Sequence, residues 1–429
     1  MKFSNKTVLF LGTSAGSVDM VRYVRANGAR ALVADYLPQE ESEAKRYADE
    51  ALLLSTADTD ALVSLVRERH VDCVYAGVSE FNLLQALTVA ERCGLPFYCT
   101  RDQWDAIEVK GNFRRLCDSC GVPTPHTWYV GTSVEEAVAS VEIYPVVVKP
   151  VDGSASTGVY TCASADELKV RASQSKDAST SGEIIVEERV HGYEFTAHYT
   201  VHNAQASLSC IDNRYPVAVH EGSVTTVPAG RIYPSLFTPA FLDAVDPAMR
   251  VLCKTVGLQN VVLFIQGIYD PDGNRFAIFE AGLRGAGECP YRFIRCTSGV
   301  NYAEMVMDSL LAPETLRVDW PDDPFMGGKC CGCVSYVARH GTVGAIRGLK
   351  ETLAALPNII DHEVRYPVGS EVPDTDTLRQ LAIRFFLLCD SREAMAKDVA
   401  YINEHVHMLD TDGHDMALKL EPARLRGLE

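Results

Sequence analysis

No apolar run in this 429-residue chain is long enough to cross a membrane, and positive charge is scarce, with 40 Lys and Arg against 57 Asp and Glu for a net charge of −17. The first lack argues against a membrane-spanning protein. The second makes the surface repel phosphate backbones and anionic lipid, so neither nucleic acid nor a membrane is an expected partner. Also lacking is a second CxxC or a His pair beside Cys117 and Cys120, or beside the cluster of Cys330, Cys331 and Cys333. Without such partners these are read as structural thiols rather than a zinc site. The other cysteines are scattered, many inside apolar runs, as at Cys73, Cys99, Cys162, Cys210 and Cys253. Buried, reduced thiols of that kind fit a cytoplasmic protein. The opening MKFSNKTVLFLG supports that expectation, because its apolar run is shorter than a signal peptide's and no small-residue cleavage site follows. Internal repeats and low-complexity tracts are absent.

What is present is an ordinary globular composition, 47% hydrophobic and 23% charged. The length exceeds what one core usually supports, so two to four domains are expected. Residues 6–100 alternate strands and helices, ending in a strand at LPFYC, and read as a parallel doubly wound α/β unit. Gly12 and Gly16 after the first strand lack the spacing of a dinucleotide fingerprint. The loops at the strand ends, including Ser79 and Glu80, are instead expected to wall a ligand crevice.

One helix is expected over 101–120, with Lys110 and Arg114 four apart on one face, a spacing that by itself fits a solvated surface. YPVVVKP is a strand that delivers Lys149 at its end. The small-residue loop DGSASTGV, 152–159, can fold backbone amides over a polyphosphate. IIVEERVHGYEFTAHYTV gives two strands broken at Gly192, and the segment from Asp212 to Pro234 reads as a strand followed by a loop over a site. A helix follows from Pro239 to Val256.

The stretch QGIYDPDGNRFAIFEAGLR, Gln266 to Arg284, reads as a β-hairpin around Pro271, Asp272 and Gly273. A three-residue turn is odd in length, which puts Gln266 and Glu280 on one face, opposite or one diagonal step apart. Two adjacent oxygen ligands suit Mg²⁺, which takes few protein oxygens and leaves its other positions to phosphates and water. Arg284, just beyond, is a fork donor for an anion. From about Pro313 onward the pattern becomes a smaller α+β unit with no evident reactive constellation.

In this order, the doubly wound unit, the lysine-bearing helix, YPVVVKP, the small-residue loop, VEERVHGYE and the hairpin resemble the ATP-grasp superfamily, as in carbamoyl-phosphate synthase, biotin carboxylase, D-alanine ligase and the L-amino-acid ligases. The resemblance covers residues 5 to about 310; the tail, with IRGLKETLAALPNI, is loosely similar to that of the L-amino-acid-ligase-like members. It implies an ATP-grasp fold in three parts: a pre-ATP-grasp unit over 1–100, an ATP-grasp domain over 101–312 with a lid at about 124–190, and an appended α+β domain over 313–429. It also implies an ATP-dependent carboxylate–amine ligase working through an acyl phosphate, with small carboxylate and amine substrates, ATP, and Mg²⁺ or in its place Mn²⁺.

Residue by residue, the resemblance gives Lys149 and Lys110 to the ATP phosphates, and Ser154, Ser156 and Gly158 to the closing loop. Adenine contacts fall to Glu187, the Glu188 backbone and Val190, and ribose to Glu194. Metal binding falls to Gln266 and Glu280, and the acyl-phosphate contact to Arg284. Arg231 joins Arg284 as a candidate for holding the substrate carboxylate. Dimers are common for this fold, so a homodimer is one expected state, though no seam is visible in the sequence. One departure stands out. Members usually carry Asn, a further metal ligand, where this chain has Gly282; Glu288 or a water would have to replace it. That departure keeps open one alternative, a nucleotide-binding subunit with weakened catalysis; a carboxyphosphate-forming enzyme, as in the carboxylases, is a third reading of the resemblance.

Overall fold

The computed structural model describes every residue except 15, 153–156, 221–226, 376 and 428–429. The apolar runs near the N-terminus form a parallel sheet in the order Glu50–Leu53, Arg30–Asp35, Thr7–Leu11, Cys73–Ala76. Strands covered on both faces read as continuous apolar runs, and Val8 to Leu11 are fully buried accordingly. Helices Ser17–Ala26, Thr59–Glu68 and Glu80–Cys93 complete the unit. The expected strand at LPFYC is not one. Pro96 cannot donate to a ladder, and the Phe97 and Tyr98 rings stack at 4.4 Å, bringing Tyr98 onto Tyr75.

The expected single helix over 101–120 is two, Arg101–Glu108 and Lys110–Cys120, separated by Val109 at φ −81°, ψ 110°. The break turns the Lys110 amide onto the Val151 carbonyl at 3.1 Å, which joins the second helix to the next sheet. That antiparallel sheet runs Thr127–Gly131, Ile184–Glu188, Val146–Pro150, Tyr160–Cys162. With helices Val134–Ser140 and Ala165–Asp177 it encloses its own small core, including Val146, Val148, Leu168, Ile184 and Val186.

A third sheet, antiparallel, has the order Gln205–Ile211, Tyr193–His202, Val261–Asp270, Arg275–Gly282, and its inner face shares one core with the N-terminal sheet. A fourth runs Asn213–Val217, Val227–Tyr233, Cys330–Ala338, Leu381–Cys389, Ile359–Val364 under helix Arg392–His405. Its first strand is the one expected after Asp212, and its second overturns the loop expected to follow, up to Pro234. Val227–Tyr233 is wholly buried and pairs Arg231 with Cys333, so this segment is stitched into the C-terminal sheet. The helix expected over 239–256 is likewise two, Thr238–Ala244 and Asp246–Val256, with Pro247 at the start of the second. Among the described residues no helix is long and apolar enough to cross a membrane.

Candidate active site

The hairpin places the expected pair as direct cross-strand partners, Gln266 opposite Glu280, though by a different route. The turn is four residues, Pro271 to Asn274, closed by Asp270 Oδ1, which accepts from the amides of Asp272 and Gly273 at 3.1 Å each. An even turn would set the two residues out of step. A bulge between Gln266 and Gly267 leaves Phe279 without a partner and restores the pairing.

Lys110, at the first turn of its helix, brings Nζ to 3.6 Å from Glu280 Oε1. One turn later Arg114 spans two sheets. Its Nη1 donates to the Ile278 carbonyl at 2.9 Å, and its Nη2 pairs with Glu187 Oε1. Lys149 Nζ meets the other oxygen, Glu187 Oε2, at 2.8 Å and lies 5.5 Å from the centre of the Phe279 ring. Arg114, Lys149 and Glu187 are all buried, so this carboxylate fixes two cations that would otherwise be strongly disfavoured out of water.

At the end of the same strand the Glu188 amide donates to the His126 carbonyl at 2.8 Å, and its carboxylate pairs with Arg275 at 2.8 Å. Val190 is buried, and Glu194 pairs with Arg214. Gly158 sits at φ +73°, where a Cβ would fall 2.8 Å from the Ala178 Cβ and 2.9 Å from Pro150 Cγ, so that end of the loop needs glycine. Ser154 and Ser156 lie outside the described residues.

The other half of the site is built around arginines. Arg231 Nη1 donates to Asp212 Oδ2 at 2.7 Å and Thr196 Oγ1 at 2.8 Å, and stands 3.4 Å from Glu288 Oε1. His198 Nε2 approaches that same oxygen at 3.4 Å. Burial alone would raise the Glu288 carboxyl, but Arg231 and His198 hold it well below the usual carboxylate range. Glu288 thus faces Arg231 as a carboxylate.

Arg284 Nη2 reaches Glu80 Oε1 at 2.7 Å, so the expected crevice wall does touch the hairpin's arginine. Beside it, Glu108 Oε1 accepts from the Leu283 amide at 2.7 Å. Burial, with the neighbouring Glu80 charge, pushes the Glu108 carboxyl up to about 8. Gln266, Arg231 and Arg284 converge on a cavity of about 120 Å³, whose far side comes from the C-terminal sheet through Cys333, Ser335 and Arg384. Arg384 itself donates to the Gly287 carbonyl at 2.7 Å.

Sequence reasoning missed Arg384 and Glu108, and gave Arg114 only a surface role. An arginine four residues from a candidate phosphate lysine, on the same helix face, was the available signal for Arg114; Arg384, in a strand with no motif, carried none.

The donor set bears on the metal. Gln266 and Glu280 offer one amide and one carboxylate oxygen side by side, all hard ligands, which fits Mg²⁺ completed by phosphate oxygens. Among the described residues, the one group of three or more acidic, His or Cys side chains close enough to share an ion is Asp410, Asp412 and His414, in a turn of the C-terminal unit. The CxxC and the later cysteine cluster are free thiols, and burial pushes Cys117 up to about 12, as expected of structural cysteines.

Residues 142–291 match the ATP-grasp domain family. Among curated proteins, the chain is 23% identical over 308 residues to the multifunctional protein URA2 of Saccharomyces cerevisiae; the match takes in 69% of this chain but 13% of that protein. Among solved structures it superposes on an L-amino acid ligase from Bacillus licheniformis with a TM-score of 0.74 at 16% identity, covering 95% of this chain and 99% of that one. Phosphoribosylglycinamide synthetase from Anaerococcus prevotii gives 0.74 at 15%, covering 94% and 99%. The biotin carboxylase domain of Hydrogenobacter thermophilus 2-oxoglutarate carboxylase, solved with MgADP, ADP and bicarbonate, gives 0.77 at 16%, covering 98% and 92%. At these identities the likeness is one of fold. The chain carries an ATP-grasp domain and shares that fold over nearly its whole length.

Proposed function

We propose, with the ATP-grasp domain as premise, that this protein joins a carboxylate to an amine at the expense of ATP, releasing ADP and phosphate. The observation that carries the reading is the meeting, on one hairpin, of Lys110 with the Gln266–Glu280 oxygen pair on one side and an arginine-lined cavity on the other. Phosphoryl transfer needs little covalent help from a protein and much charge neutralisation. Lys149, fixed by Glu187, and Lys110 supply fixed positive charge for the phosphates. Gln266 and Glu280 would hold Mg²⁺, which supplies charge to offset that developing on the transferred group.

Arg284 and Arg231 hold the acid. A guanidinium fork matches a carboxylate, and each already engages one, Glu80 and Asp212 respectively. One oxygen of the substrate carboxylate attacks the γ-phosphorus and ADP leaves; the amine then attacks the acyl carbon and phosphate departs with that oxygen. No side-chain nucleophile is required, which agrees with the raised thiols. Substrates on this reading are a small acid and a small amine, met in the cytoplasm.

A second reading, a nucleotide-binding subunit that turns over poorly, is favoured by Gly282, which brings no ligand. The test is ADP release with MgATP against pooled amino acids, small carboxylates and amines, with Glu280→Ala as control. Release that depends on a pool and disappears in Glu280→Ala supports the ligase. ATP that stabilises the protein to heat while no pool stimulates release supports the subunit.

A further inference from the structure

The hairpin face continues past its oxygen pair, and the next rung is filled by one ring. Phe264 and Gly282 are direct partners two residues along from Gln266 and Glu280, hence on the same face. A Cβ on residue 282 would lie 2.3 Å from Phe264 Cε1 and 2.8 Å from Cζ, so any side chain there must displace the ring. On the third strand the rung is completed by His198, already engaged with Glu288. Over the ring lies Arg284, its guanidinium carbon 4.4 Å from the ring centre.

From this rung, and resting on the ligase reading above, we propose that Phe264 is a positioning residue with two linked effects. It closes the face to any oxygen ligand beyond Gln266 and Glu280, so that the hairpin holds one divalent ion, and it seats Arg284 against the cavity. Mg²⁺ is usually held through one or two carboxylates besides phosphates and water, so a second ion calls for a further protein oxygen ligand. Here the nearby acids face other groups: Glu288 lies 3.4 Å from Arg231, Glu80 pairs with Arg284, and Glu108 accepts from the Leu283 amide. The charge a second ion would bring is supplied instead by a guanidinium held on an aromatic face, a contact that strengthens when water is excluded. Gly282 is the complement of the ring, not a lost ligand awaiting replacement.

The test counts protein-bound Mn²⁺ by equilibrium dialysis and electron paramagnetic resonance with ADP held constant, on the full chain. Wild type is expected to retain one ion. Gly282→Asn alone is expected to stay at one ion with a lowered Tm, whereas Gly282→Asn combined with Phe264→Ala gains a second. Phe264→Leu is expected to keep one ion and the wild-type Tm. With whichever acid stimulates ADP release, it raises the KM for that acid roughly three- to thirtyfold, the range of a cation–π contact, with no further rise in an Arg284→Met background. Two ions in wild type, or a folded Phe264→Leu variant with unchanged KM, would overturn the proposal and leave the ligase reading standing. No ion retained in the presence of ADP would overturn both.

Discussion

The two halves of the site are built in opposite ways. On the proposed phosphate side, Arg114, Lys149 and Glu187 form a buried, mutually paired cluster whose members lie in or next to recognisable stretches of chain. On the acid side, Arg231, Glu288 and Arg384 are brought together from a strand of the C-terminal sheet, a glycine-rich loop and a second strand about a hundred residues further on. The first half is drawn from stretches with readable local patterns. The second comes from long-range packing between the C-terminal sheet and a glycine-rich loop.

The sharpest way to break that contrast is to remove the anion at the centre of the phosphate side. Glu187→Ala leaves Arg114 and Lys149 buried without a partner, and is expected to cost about 3–5 kcal/mol, read as a lower midpoint in chemical denaturation. Next in size is Glu280→Ala, expected to slow ADP release on the order of 10²–10³-fold with little change in thermal stability, since Glu280 is only half-buried. Arg384→Met tests the acid side alone. It is expected to raise the KM for the acid by about tenfold and leave that for ATP unchanged, the size of one charge-assisted hydrogen bond.

A pH series separates two carboxyls of the arginine-lined half by sign. Because the Glu108 carboxyl is raised to about 8 in the folded protein, the folded state binds more protons than the unfolded chain between its ordinary value and pH 8. Its contribution to stability is complete below the ordinary carboxylate range and is lost as pH climbs through 8. Wild-type Tm should therefore fall over that interval more steeply than that of Glu108→Gln. Glu288, held low, works in the other direction, adding stability that is lost only on acidification. The smallest effect belongs to Arg275→Ala, which removes the surface pair with Glu188 and should change stability by less than about 1 kcal/mol.

The same division explains what could be read from the sequence. Lys149 at a strand end and the facing of Gln266 and Glu280 were legible because turn chemistry and period-two alternation are local. Even there the route differed: an even turn with a bulge at Gln266 does what an odd turn was expected to do. The strand Val227–Tyr233 was hidden because its register is set by Cys330–Ala338, about a hundred residues away. Arg114 looked like a solvated face because its partner, Glu187, belongs to another sheet. The break at Val109 had only Gly111, two residues on, to announce it, and comes with the Lys110 amide bonding to the Val151 carbonyl.

The central claim, that a carboxylate is activated through an acyl phosphate, is tested most directly by labelling. An acid that stimulates ADP release would be supplied with ¹⁸O in its carboxylate, and the phosphate formed would be examined by mass spectrometry. The account requires one ¹⁸O per phosphate released, formed in step with ADP. Unlabelled phosphate accompanying ADP and amide would contradict it.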